Sequence, residues 1–227
     1  MSEQGVSQNT NQGANMRSDY CELAIVLDRS GSMSTVKNDM EGGFARLMEE
    51  QRKLPGECRV TLTQFDTQGI DTVYESKPVA DVPALVLEPR GGTPLLDAVG
   101  DAVTSLGKRL AAKPEAERPG SVVVLIITDG EENSSTRFTK AQVKELVERQ
   151  TTTYKWSFIY LGANVDAFAE AGSMGIAAAA AASYTPDSAG VKAAYFAASA
   201  SVGRSRSGGT ADLTQAERDA MNIKGAN

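Results

Sequence analysis

The chain has 227 residues, 41% apolar and 23% charged, a balance that supports one large domain with a sizeable core. Its 29 acidic residues outnumber 23 basic ones, and the formal charge of −6 excludes a general nucleic-acid binder, which needs a basic face for phosphates. Histidine is absent, so His-based triads, His-ligated zinc and imidazole general bases are excluded as well.

Residues 1–19 are polar and rich in Gln, Asn, Ser and Gly, which predicts a disordered tail with order beginning at Cys21. They lack the apolar stretch of an export signal, and no run reaches the roughly 18 apolar residues of a membrane span. A cytoplasmic chain with no membrane partner is expected. Leu23 to Leu27 is continuously apolar and stops at Asp28, the pattern of a parallel strand buried on both faces. Val36, Met40, Phe44, Leu47, Gln51 and Leu54 then recur at helical spacing until Pro55-Gly56. The pair Gly42-Gly43 weakens that helix by about 1 kcal/mol each relative to alanine. Arg59 to Asp66 reads as a strand, and Ile70 to Lys77 as its partner across a Thr67-Gln68-Gly69 turn. Cys21 and Cys58 are too few for a four-thiolate zinc site. They are expected as buried free thiols, with a single bridge as the alternative.

Thr93-Pro94 is expected to open a helix, with the hydroxyl at the N-cap and proline at the first helical position. Val122 to Ile127 is the most apolar strand and ends at Thr128-Asp129-Gly130. A helix from about Thr139 to Arg149 and a strand from about Thr153 to Leu161 follow, with Tyr154, Trp156, Phe158 and Tyr160 along one core face. Val165 to Gly172 suggests a short helix. The run Ala177–Ala182 favours helix by propensity, whereas the architecture wants an edge strand near Ala180–Thr185. Val191, Tyr195, Ala198 and Val202 mark another helix. Residues 204–227, including Arg204 and Arg206, read as a flexible linker with a short, loosely attached terminal helix. Strands alternating with helices predict an α/β layered sheet. No G-x-G-x-x-G follows a strand, so dinucleotide binding has no support.

The stretch carrying chemistry is Asp28-Arg29-Ser30-Gly31-Ser32, at the end of the first buried strand. Gly91-Gly92-Thr93-Pro94-Leu95 and Thr128-Asp129-Gly130 join it, because the carboxyl ends of central strands in an open α/β sheet converge on one crevice. Two carboxylates (Asp28, Asp129) and three hydroxyls (Ser30, Ser32, Thr93) form an all-oxygen set suited to Mg2+ or Mn2+. Met33 and Ser34 flank it as candidate partner contacts.

D-x-S-G-S, G-G-T-P-L and T-D-G in this order resemble the metal-ion-dependent adhesion site of von Willebrand factor A (vWA) domains. The resemblance implies a Rossmann-like fold over residues 20–203, with a central, mostly parallel sheet flanked by helices on both faces and one short antiparallel edge strand. It implies that Ser30, Ser32 and Thr93 hold the cation directly and that Asp28 and Asp129 act mainly through bound water. A carboxylate from a partner then completes the shell. The alanine-rich end resembles the intracellular bacterial and phage members, which often work beside AAA+ ATPases or in assembly systems. The implied function is a Mg2+-dependent interaction module rather than an enzyme.

Two alternatives stay open. One is a metal-independent structural or assembly subunit. The other is a Mg2+-dependent hydrolase with Asp28 as nucleophile and Glu131 or Glu132 as base. Against the hydrolase, the haloacid dehalogenase-like pattern wants a second aspartate where Ser30 stands, and acidic residues after a T-D-G turn are usually solvated.

Overall fold

A computed structural model of the chain describes residues 16–163 and 166–222. Along the chain come β1 (Arg17–Asp28), α1 (Lys37–Lys53), β2 (Glu57–Asp66), β3 (Gly69–Pro78), α2 (Leu95–Ala111) and β4 (Pro119–Thr128). They are followed by α3 (Lys140–Tyr154), β5 (Ser157–Ala163), α4 (Ala167–Ser173), β6 (Ala181–Tyr184), α5 (Ser188–Arg206) and α6 (Gln215–Met221). The strands form one sheet in the order β3-β2-β1-β4-β5-β6. Neighbours pair in parallel except β2 and β3, which makes β3 the expected antiparallel edge.

The continuous apolar runs follow from burial on both faces. Leu23, Ile25 and Leu27 of β1, with Val123, Leu125 and Ile127 of β4, pack against Phe44 and Leu47 of α1 and Val191, Tyr195 and Val202 of α5. Ala24, Val26, Val122, Val124 and Ile126 point the other way, onto Val99 and Val103 of α2 and Val143 and Val147 of α3. Each fully buried aliphatic side chain contributes roughly 1.5–3 kcal/mol, so the two layers account for a stable three-layer sandwich. Cys21 and Cys58 face each other in register on β1 and β2 as buried free thiols.

Several boundaries differ from expectation. β1 begins at Arg17 rather than Cys21, because Arg17 N–H donates to the Arg118 carbonyl and its side chain pairs with Glu57. The expected tail otherwise lies outside the described residues. Thr153 and Tyr154 belong to α3, which ends on Lys155 in the left-handed conformation, so Tyr154 is exposed while Trp156, Phe158 and Tyr160 are buried. The alanine run resolves as a single turn followed by β6, with Ala181 and Ala182 paired to β5.

The C-terminal segment is docked, not loose. α5 continues through Arg206, whose guanidinium donates to the carbonyls of Gln51 and Pro55, while Arg204 forks onto Glu217. α6 is capped by a reciprocal Thr214–Glu217 box and buries Met221 completely. Arg218 reaches the carbonyls of Ala178, Ala179 and Ala181, which covers the edge beside β6. No described helix is long and apolar enough to cross a membrane.

Candidate metal centre

β1 and β4 run in register through Leu27 and Ile127, so Asp28 and Thr128 leave the sheet side by side. The Thr128 hydroxyl donates to Asp28 Oδ2 at 2.6 Å, and the Ser30 N–H donates to Asp28 Oδ1 at 2.6 Å. That second bond turns the chain sharply into a single helical turn, Gly31–Thr35, and brings both serines back over the strand end. Ser30 Oγ and Ser32 Oγ lie 3.0 Å apart, and Ser32 Oγ donates to Asp129 Oδ1 at 2.6 Å. Thr93 completes the group from the second loop. A Cβ placed on Gly130 would lie 3.1 Å from Thr93 Oγ1 and 3.9 Å from Ser32 Oγ. The missing side chain of Gly130 therefore leaves room beside the Thr93 and Ser32 hydroxyls. The structure thus brings Asp28, Ser30, Ser32, Thr93 and Asp129 together at the carboxyl edge of the sheet.

The three loops are stitched to one another. Gly31 N–H donates to the Gly91 carbonyl at 3.0 Å, Arg90 N–H to that of Arg29 at 2.8 Å, and Arg29 N–H to that of Phe65 at 3.0 Å. Gly91 sits at φ +66°, and any side chain there would strike Thr67 Oγ1, so glycine is needed at this turn. Across the site, Thr93 N–H donates to Asn133 Oδ1 at 2.9 Å while Asn133 N–H returns to the Thr93 carbonyl at 3.2 Å.

Thr93 is not the helix cap. Pro94 occupies that position, and the first N–H groups of α2 are satisfied from the third loop instead. Leu96 N–H donates to Glu132 Oε2 at 2.8 Å and Asp97 N–H to Ser135 Oγ at 3.0 Å. This tertiary cap releases the Thr93 hydroxyl toward Gly130. Glu132 is half-buried and tied into its loop: it also accepts from the N–H groups of Ser134 and Ser135. Asp97 answers in kind, accepting from the N–H groups of Thr136, Arg137 and Phe138. Met33 is fully buried in the core and offers nothing to a partner, whereas Ser34 is exposed. Asn133 and Asp97 carry no signal in the sequence, and Glu132 reads there only as a candidate base, because each acts on a loop distant in the chain.

Burial pushes the Asp28 carboxyl up to about 6, against the Thr128 and Ser30 hydrogen bonds and with help from the nearby Asp129 charge. Burial also raises Asp129, with the Ser32 and Ser30 hydroxyls opposing it. No Lys or Arg pairs with Asp28 among the described residues. A buried Asp28 with no cationic partner among the described residues, beside a second carboxylate and the hydroxyls, is a place where a cation would be favourable. Among the described residues no group of three or more His, Cys, Asp or Glu could hold a metal, so any ion here depends on the hydroxyls. An all-oxygen set with only two carboxylates fits a hard divalent cation.

No protein-family model matches the sequence, and no curated protein matches it. Solved structures do. A von Willebrand factor type A protein from Catenulispora acidiphila superposes with TM-score 0.55 at 16% identity, covering 82% of this chain and 43% of that one. Proximal thread matrix protein 1 from the mussel byssus superposes with TM-score 0.54 at 14% identity, over 78% of this chain and 44% of that one. The chain spans less than half the length of these structures. Its architecture is the vWA fold, a mostly parallel Rossmann-like sheet between two helical layers. Its site residues stand at the loops where the sequence resembles that fold's adhesion motif.

Proposed function

We propose that the chain is a metal-dependent interaction module that grips an acidic residue of a protein partner through Mg2+, with Mn2+ as a substitute. Ser30, Ser32 and Thr93 would hold the ion directly, and Asp28 and Asp129 would hold its water ligands. The observation that carries this reading is the convergence of three hydroxyls and two buried carboxylates at the carboxyl edge of the sheet, with Ser30, Ser32 and Asp129 linked by hydrogen bonds and Thr93 meeting Ser32 beside Gly130. With neutral hydroxyls in the first shell, a bound cation keeps its appetite for an incoming anion, so partner and metal affinity are coupled. The chain's own residues supply orientation: Asp28 fixes Ser30, Asp129 fixes Ser32, and Asn133 fixes Thr93. An enzymatic reading gains no support from Glu132, which is committed to capping α2.

The partner class follows from this reading, and an ATPase or assembly machine is one source of such an acidic surface. The test is calorimetric titration of Mg2+ and Mn2+ into the wild type and a folded Ser30→Ala/Thr93→Ala variant. Binding that disappears in the variant supports the site and leads to capture of partners in Mg2+ against EDTA. Partner capture indifferent to EDTA would instead establish the metal-independent structural role.

A further inference from the structure

Beside the hydroxyl cluster lies a second group of charges at the end of β2. Asp66 is fully buried and accepts from Arg29 Nε, from Arg90 Nε at 2.9 Å, and from the N–H groups of Gln68 and Gly69. Burial alone would raise its carboxyl, but the Gln68 N–H and the two guanidinium groups outweigh it and hold it below the usual carboxylate range. It is thus a fixed anion with two arginines attached.

The two arginines differ in what remains free. Arg29 is almost fully buried and spends its outer nitrogen on Asp71. Arg90 keeps 38% of its side chain exposed and, among the described residues, pairs only with Asp66, through Nε. Neither of its Nη atoms has a hydrogen-bond partner among the described residues. A free surface arginine is ordinarily mobile and of little consequence. This one is held at its inner nitrogen by a buried carboxylate, so its outward fork is set in direction before anything binds.

Its position is also fixed relative to the metal loops. Arg90 N–H bonds to the carbonyl of Arg29, which stands between Asp28 and Ser30, and Gly91 beside it accepts from Gly31. Thr93 is three residues further on, within roughly 10 Å of extended chain. The geometry points to Arg90 as a second anchor for the partner: the site takes a ligand with two anionic groups, one on the metal and one on the Arg90 fork. This rests on the metal-dependent reading above and narrows the partner from an acidic residue to a paired acidic motif. A lone carboxylate satisfies the ion alone, whereas a second one adds a charge-assisted, bidentate contact at an already oriented donor.

The test uses the full chain loaded with Mn2+, reading carboxylate binding from water-proton relaxation as metal-bound water is displaced. Acetate is compared with succinate, glutarate and a short peptide carrying two acidic residues. At least one two-anion probe should bind about tenfold or more tightly than acetate, and Arg90→Gln should reduce that preference to the acetate level. If Mn2+ does not bind the wild type, the metal reading itself fails and this inference falls with it. If Mn2+ binds and acetate displaces water, but two-anion probes gain nothing or Arg90→Gln keeps their advantage, this inference alone is overturned. Loss of Mn2+ and acetate binding in Arg90→Gln would overturn it too, by making Arg90 part of the metal loop rather than an anchor.

Discussion

Ser32 Oγ donates to Asp129 Oδ1 at 2.6 Å although the two residues stand 97 positions apart. This bond ties the loop after β1 to the loop after β4 and keeps a hydroxyl directed at a buried carboxylate. Ser32→Ala should therefore act twice. In EDTA it removes one donor from Asp129 and costs about 1 kcal/mol by chemical denaturation. In a Mg2+ titration it removes one of the proposed ligands, and affinity should fall about tenfold or more. A variant with wild-type Mg2+ affinity would show that the ion does not rest on Ser32.

Asp28 makes the opposite prediction for stability. Its carboxylate is buried without a cationic partner among the described residues, so at neutral pH the charged form opposes folding. Asp28→Asn keeps an acceptor for the Ser30 N–H and removes the charge. In EDTA it should be as stable as the wild type, or more stable by up to about 2 kcal/mol. Saturating Mg2+ at about 100 times Kd should stabilise the wild type by about 2.7 kcal/mol, or roughly 5–10 °C in Tm. The variant should show no such rise. Differential scanning calorimetry with and without Mg2+ reads both signs.

How much of this was legible in the sequence depends on whether a feature is local. The runs at Leu23–Leu27 and Val122–Ile127 announced strands buried on both faces, and their terminal aspartates marked the site edge. The Thr93-Pro94 pair reads as a helix start, but Thr93 is not the cap, because Glu132 and Ser135, far along the chain, satisfy the first N–H groups of α2 and Asn133 pairs with the Thr93 backbone. Helix propensity pointed the alanine run one way and the sheet edge needed it another; pairing with β5 and the Arg218 clasp decided the outcome. Arg204 and Arg206 looked like linker residues since their partners, Glu217 and the carbonyls after α1, are tertiary contacts. The arginine fork on Asp66 was invisible for the same reason.

The glycine pair in α1 separates propensity from packing. Gly42 is exposed with nothing within 4 Å of an added Cβ, whereas a Cβ on Gly43 would lie 2.2 Å from the Tyr195 ring of α5. Gly42→Ala should stabilise by about 0.5–1 kcal/mol through helix propensity alone. Gly43→Ala should destabilise by about 1–3 kcal/mol, because α1 must move off α5 or Tyr195 must leave its place. Urea melts of the two single variants decide it; equal effects would mean that the helix contact is not as close as described.

Asp97 supplies a pH signature. Burial would raise its carboxyl, but the N–H groups of Thr136, Phe138 and Arg137 outweigh that and lower it. A lowered folded value means stability that is fully present above the ordinary value near about 3.9 and is lost as pH falls through the folded value. Asp97→Asn would put an NH2 group against one of those donors and should cost about 1–3 kcal/mol at pH 7. The gap between variant and wild type should stay constant down to about pH 5 and narrow below about pH 4. A gap that widened on acidification would contradict the assignment.

Gly130 tests the open space itself. It is the residue after Asp129, its backbone has no need of a left-handed conformation, and only the room beside its Cα is special. Gly130→Ala places a methyl 3.1 Å from Thr93 Oγ1, so the hydroxyl must retreat by a few tenths of an ångström. Nothing in the core is disturbed, and stability in EDTA should change by less than about 1 kcal/mol. Mg2+ affinity should nevertheless fall about tenfold or more, because the methyl occupies the space and Thr93 is displaced as a ligand. Gly172→Ala is the matched control: no atom lies within 4 Å of its added Cβ, on α4 away from the loops. Calorimetry that finds both alanine variants binding Mg2+ like the wild type would mean that the ion does not sit between Ser32 and Thr93.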